Sequence, residues 1–130
     1  MLSVAACPCG SGRNYTQCCG PLHEGNPATD AEALMRSRYS AYVLGLSDYL
    51  VRSWHASTRP PDCVLDDESA TQPTWLGLSV KHHQATGTDS ADVEFVARYR
   101  IGGGSVVRLH ERSRFLRENG HWFYLDGQHL

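Results

Sequence analysis

The stretch CPCGSGRNYTQCC, residues 7–19, sets four of the chain's five cysteines into thirteen positions as C-x-C-x8-C-C. Cys7 and Cys9 on one arm and Cys18 and Cys19 on the other supply four thiolates, the ligand set that tetrahedral zinc takes at about 2.3 Å. Cysteines adjacent or one residue apart meet at strained angles, which disfavours a disulfide within either arm and leaves cross-arm bridges as the alternative. Gly10, Ser11 and Gly12 follow the first arm, where glycine permits positive φ and lets backbone N–H groups turn toward sulfur. Residues 14–19 then have room for one helical turn carrying the second arm. So short an element buries no core of its own, so metal binding would supply most of its folding free energy.

These residues resemble the SEC-C motif, a small zinc element found at the C-terminus of the SecA translocation ATPase and in other bacterial proteins. The resemblance runs from Cys7 to Gly20 and includes the Cys-Gly-Ser-Gly turn, Tyr15 and the trailing Cys-Cys-Gly. It implies one structural zinc ion on Cys7, Cys9, Cys18 and Cys19. In SecA the motif contacts the chaperone SecB and is studded with lysines. Here the matching positions are Arg13, Asn14, Thr16 and Gln17, so one cation survives.

A chain of 130 residues holds one domain with a substantial core beside the zinc element. A net charge of −2 and 41% hydrophobic residues give no basic excess to recruit nucleic acid, and no apolar run is long enough to span a bilayer. An odd cysteine count with four assigned to metal fits a reducing cytoplasm. The opening MLSVAAC lacks the charged start of an export signal. Cys63 reads as a small residue without a special role.

The zinc element is assigned to residues 1–25 and a second unit to residues 28–130, with the Gly- and Pro-rich stretch 20–29 read as a linker. His23, just past the cysteines, is an alternative ligand where four thiolates already suffice. Thr29 and Glu32 have capping-box spacing and open a helix over 30–44, with Ala31, Met35, Tyr39, Tyr42 and Leu46 on its core face and Gly45 near its end. Ser47 caps a second helix over 48–55 carrying Tyr49, Leu50 and Trp54. Residues 56–73 read as loop, and their acidic run Asp66, Asp67, Glu68 as a solvated face. The period then changes to two. Residues 75–84, 91–101, 105–117 and 120–126 read as four antiparallel strands, turning at 86–90, 102–104 and Asn119-Gly120.

Alternation puts Val93, Phe95, Ala97, Tyr99 and Ile101 on one face of the second strand. On the third, Val107, Leu109 and Phe115 share their face with Glu111 and Ser113, while Arg108, His110, Arg112 and Arg114 form an outward stripe read as solvated or paired across strands. A carboxylate on an apolar face must be paired, protonated or at the mouth of a pocket. Arg38, flanking the helix core face, is expected to pair with Glu111 or to line the same cavity.

The segments ALMRSRYSAYVLG, SWH, VEFVARYR, LHERSRF and WFYLDG together resemble the YchJ family, which joins a SEC-C motif to a domain of the nuclear-transport-factor-2 (NTF2)-like type. The resemblance implies an α+β fold, a cone of two helices packed on a curved antiparallel sheet. Longer members carry a second SEC-C motif after the cone, to which nothing here corresponds. Two functions follow. In the first, favoured because a closed four-thiolate site has no open position for catalysis, the chain is an adaptor whose zinc element meets a protein partner of the secretion or ribosome type. In the second, the cone binds or converts a small molecule, as a hydrolase, dehydratase or isomerase. The pocket residues are then Arg38, Tyr39, Trp54, Glu111 and Ser113, with Glu111, His55 or His110, and Arg38 as the catalytic candidates. Strand alternation turns His110 away from Glu111 and sends His82 and His83 to opposite faces. The outer sheet face leaves room for a homodimer.

Overall fold

In the computed structural model, which describes residues 6–59 and 73–130, Asp30 stops the backbone in an extended conformation and its Oδ1 accepts the Ala33 N–H at 2.8 Å. Helix α2, Ala31–Leu44, starts there. The cap is therefore Asp30 and not Thr29. A side chain at the N-cap reaches the N–H three residues on, and Glu32, one short of that position, instead pairs with Arg36 at 3.0 Å. Gly45 closes the helix in the left-handed region (φ 73°), as its place in the sequence leads one to expect.

The short helix α3, Ser47–Arg52, has Leu46 and not Ser47 at its N-cap and stops three residues before His55. Ser53 terminates it by turning its hydroxyl back to the Tyr49 carbonyl at 2.7 Å, while Arg38 takes the Leu50 carbonyl at 2.8 Å. The chain then runs along the sheet. Tyr124 N–H donates to the Ser53 carbonyl (2.8 Å) and His55 N–H to the Tyr124 carbonyl (2.7 Å), which covers part of an exposed strand edge.

Strands β1 (Pro73–Gly87), β2 (Ser90–Ile101), β3 (Val107–Glu118) and β4 (His121–His129) form an antiparallel meander in the order β1-β2-β3-β4. Asn119 and Gly120, both at positive φ (52° and 80°), make the two-residue turn between β3 and β4. Three register shifts in β1 and one between β3 and β4 bend the sheet around α2. On the concave face Ala31, Leu34, Met35 and Tyr39 of α2 meet Val93, Phe95, Ala97 and Phe115 in one core. Two positions depart from the expected helix core face. Tyr42 is 42% exposed, and Leu46 lies in the α2–α3 connection against a second cluster of Ala41, Tyr49 and Leu50.

The cysteines are not an appendage. Cys7, Cys9 and Cys19 are buried in the same core cluster as α2 and the sheet. Nor are residues 20–29 a plain linker, because helix α1, Cys19–His23, occupies their start. Cys63 and the acidic run 66–68 lie outside the described residues. Among the described residues no helix is long and apolar enough to cross a membrane.

Candidate functional site

Two constellations carry chemistry. The first is the cysteine quartet. Cys7 N–H donates to the Arg13 carbonyl (2.9 Å), closing a loop whose bends fall at Gly10 and Gly12 (φ 77° and 85°). A 3₁₀ turn, Tyr15–Gln17, then delivers Cys18 and Cys19 at the head of α1. All four sulfurs lie within 4.8 Å of one another, with Cys9 to Cys18 at 3.6 Å and Cys18 to Cys19 at 3.9 Å. Four sulfurs at about 2.3 Å from one ion sit about 3.8 Å apart. The quartet therefore fits a tetrahedral metal, and the four thiols are free rather than bridged.

Hydroxyls surround the sulfurs. Ser11 Oγ lies 3.1 Å from Cys18, and Ser40 Oγ of α2 lies 3.3 Å from Cys19 and 3.5 Å from Cys7. Arg36 Nη1 donates to the Cys9 carbonyl at 2.9 Å. Hydrogen bonding from Cys19, then from Ser11 and Cys7, outweighs burial and draws the Cys9 thiol down to about 4. The same contact with Cys9, followed by burial, pushes Cys19 up, and burial raises Cys18. His23 is not a ligand: its ring is bonded to Tyr15 Oη (2.6 Å) and the Ser37 carbonyl (2.8 Å).

The second constellation is a cavity of about 290 Å³ between α2, Trp54 and the concave face of the sheet. Arg38, Tyr39, Trp54, Glu111 and Ser113 all line it, joined by Tyr42 of the expected helix core face and by Trp75 and Tyr124, for which the sequence suggested no pocket role. Edge-on aromatic contacts hold the walls: Tyr39 to Trp75 (5.6 Å) and Trp54 to Tyr124 (5.3 Å). Burial, followed by the charge of Glu111, pushes the Tyr124 phenol up to about 12, so it stays a neutral donor.

Glu111 retains 13% of its side-chain exposure. Its Oε2 accepts from Ser113 Oγ at 2.5 Å, and its Oε1 is 4.0 Å from Nε2 of the exposed His129. Gly127, directly across from Ser113 on β4, leaves the space that the carboxylate occupies; a Cβ there would overlap it. Arg38 lines the same cavity as Glu111, one of the two arrangements expected of it. Its Nη1 donates to Leu50 O (2.8 Å) and Ser53 Oγ (2.7 Å), and its guanidinium lies over the Tyr124 ring (4.6 Å) and near Trp54 (5.5 Å). The carbonyls freed where α3 stops early draw it there.

The histidine candidates stand elsewhere. His55 Nδ1 bonds to Ser57 Oγ (2.7 Å) and Nε2 to Glu118, away from the cavity, because the chain beyond α3 carries it along β4. His110 faces outward and bonds to Glu94 at 2.7 Å. Two arginines of the basic stripe are paired on the same face, Arg112 on Glu94 (3.3 Å) and Arg114 bidentate on Asp126 (2.7 and 2.5 Å). His82 contacts Gln84, and His83 approaches Glu32 to 3.7 Å. No histidine is among the cavity's described lining residues.

Comparison with known proteins assigns both constellations to recognised units. Residues 5–21 match the SEC-C motif and residues 30–127 match the model described as YchJ, middle NTF2-like domain. A UPF0225 protein of Xanthomonas campestris is 60% identical over 94% of this chain and 93% of its own length, and one of Methylibium petroleiphilum is 53% identical over 94% and 87%. The solution structure of a SEC-C motif containing protein from Rhodopseudomonas palustris superposes with a TM-score of 0.79 at 37% identity, covering 95% of this chain and 98% of the other. A crystal structure of a SEC-C motif containing protein from Psychrobacter arcticus gives 0.72 at 32% identity, covering 92% and 80%. With its cysteine quartet in one matched region and its cavity in the other, the chain belongs to the YchJ family, as a SEC-C motif joined to the family's NTF2-like domain.

Proposed function

We propose that the chain is a small-molecule-binding cone braced by one structural zinc ion. The observation that carries this reading is Glu111, a half-buried carboxylate lining an aromatic-walled cavity of about 290 Å³. A cavity of that size and lining is what metabolite sites use. The absence of a histidine from its described lining favours binding over acid–base catalysis. Four sulfurs and no open position suit zinc in a structural role, and Ser40 and Arg36 link that site to α2 rather than to solvent. Reduced thiols fit a cytoplasmic setting.

The test is a thermal-shift screen of metabolite-sized compounds against the wild type and Ala97→Phe, which fills the cavity. Hits that stabilise the wild type and lose their effect in the filled protein support the reading. Hits indifferent to Ala97→Phe would sink it.

A second reading keeps the SEC-C element as an adaptor for a protein partner of the secretion or ribosome type. Its support is that Gly10, Gly12, Arg13, Thr16 and Gln17 leave the metal loop exposed while three of the four thiols are buried. Capture from a bacterial lysate with wild type and an Arg13→Ala/Gln17→Ala variant, both zinc-loaded, tests it. A partner retained equally by both would count against that surface.

A further inference from the structure

We infer that the cavity selects flat ring compounds presenting two adjacent N–H donors, an amidine-type edge, to the Glu111 carboxylate. This rests on the small-molecule reading above and names the ligand class for the same site.

An ionised carboxylate offers two oxygens and about four acceptor positions. Ser113 fills one on Oε2. Among the described residues, Oε1 is met by the long 4.0 Å approach of His129, a side chain 75% exposed. The half-buried carboxylate thus presents acceptor positions that no described side chain fills, and a donor pair entering the cavity would find them open. Two parallel N–H groups meet a carboxylate as a fork, engaging both oxygens at once, and such bidentate charge-assisted pairs are the strong ones.

The acceptor is also held in place. Ser113 anchors one oxygen, and the missing side chain of Gly127 makes the room in which the group lies. A positioned acceptor selects for geometry as well as charge. The walls select for shape. Tyr39 against Trp75 and Trp54 against Tyr124 bound the cavity with ring systems, so a planar body fits where a branched one would not. Glu111 opposes an anion at its own end of the cavity, while the Arg38 guanidinium, also in the lining, is held by the Leu50 carbonyl and the Ser53 hydroxyl.

Benzamidine, benzamide and benzoate are probes of one size and shape whose edges carry two donors and a positive charge, one donor and one acceptor without charge, or two acceptors and a negative charge. Calorimetric titration of the zinc-loaded full chain is expected to give at least tenfold tighter binding of benzamidine than of benzamide, and none of benzoate. Amide shifts at Ser113 and Gly127 should report the contact. In Glu111→Gln the edge becomes one acceptor and one donor, so the preference should pass to benzamide. Gly127→Ala, which crowds the carboxylate while keeping it, should weaken benzamidine alone. Equal affinity for all three probes, or a preference unchanged in Glu111→Gln, would overturn the donor-pair inference and leave the ligand-binding reading standing. No binding of any probe also overturns it. If Ala97→Phe-sensitive hits are absent from the screen as well, the ligand-binding reading falls with it.

Discussion

Each ring nitrogen of His23 has its own partner, and that fixes the tautomer of the neutral ring. The Ser37 carbonyl requires Nε2 to carry the proton, and the Tyr15 hydroxyl, 2.6 Å from Nδ1, then donates to the bare nitrogen. The ring also meets Tyr49 edge-on at 4.6 Å. Burial lowers the pKa of this histidine below its ordinary 6.5; the Ser37 carbonyl opposes the shift and the charge of Arg52 adds to it. The unfolded chain therefore binds the proton first as pH falls. The contribution of His23 to stability is fully present above about pH 6.5 and is lost as pH drops through the lower folded value. His23→Phe keeps the ring contact, costs about 1–3 kcal/mol by orphaning the Ser37 carbonyl and the Tyr15 hydroxyl, and removes this proton. Urea midpoints at pH 7.5 and 5.5 should therefore fall further in the wild type than in His23→Phe. Equal falls would show that the acid sensitivity lies elsewhere, with the cysteine sulfurs the next place to look.

At the scale of elements, the SEC-C segment and the cone are one packed unit. Ser40 contacts two sulfurs, Arg36 holds the Cys9 carbonyl, and three of the cysteines lie in the main core. Removing the metal should loosen α2 as well as the loop. At a free zinc concentration of 100 to 1,000 times Kd the ion stabilises by about 3–4 kcal/mol. Chelation should then lower Tm by roughly 10 °C or more in a domain of this size. Hydrogen exchange should rise in α2 as well as in residues 7–19; confinement to the loop would mean that the two units are energetically separate. That docking was not legible in the sequence, because a serine and an arginine on a helix do not announce which distant sulfur they meet. What was legible was local. The spacing of the cysteines named the quartet, Gly45 and Asn119-Gly120 named two chain reversals, and period two turned Glu111 and Ser113 inward on β3. Tyr124 and Trp75 escaped notice because their places in the cavity depend on register shifts in the strands that carry them. Of the two arrangements expected for Arg38, the shared cavity is the one seen, and the early end of α3 offers its guanidinium the Leu50 carbonyl and the Ser53 hydroxyl.

The whole molecule keeps open a space that its own core chemistry would readily fill. Ala97 sits mid-strand on β2, is 1% exposed and lines the cavity, with Phe95 and Phe115 beside the same space. A larger aliphatic residue at this position would bury three more carbons, worth about 2.4 kcal/mol at about 0.8 kcal/mol each, less about 0.5–1 kcal/mol of rotamer entropy. Because the cavity opens to solvent, roughly half of that is recoverable, so Ala97→Leu should gain about 1 kcal/mol and raise Tm by roughly 4 °C. A hollow kept at the expense of stability is the signature of a binding site rather than of careless packing. The prediction therefore has two limbs that must hold together: Ala97→Leu melts higher than the wild type and binds cavity ligands at least tenfold more weakly. A variant that is stabilised yet binds as before would place the ligand outside the cone. One that is destabilised would mean that the space is already filled by side-chain motion, and the cavity would lose its claim to be a site.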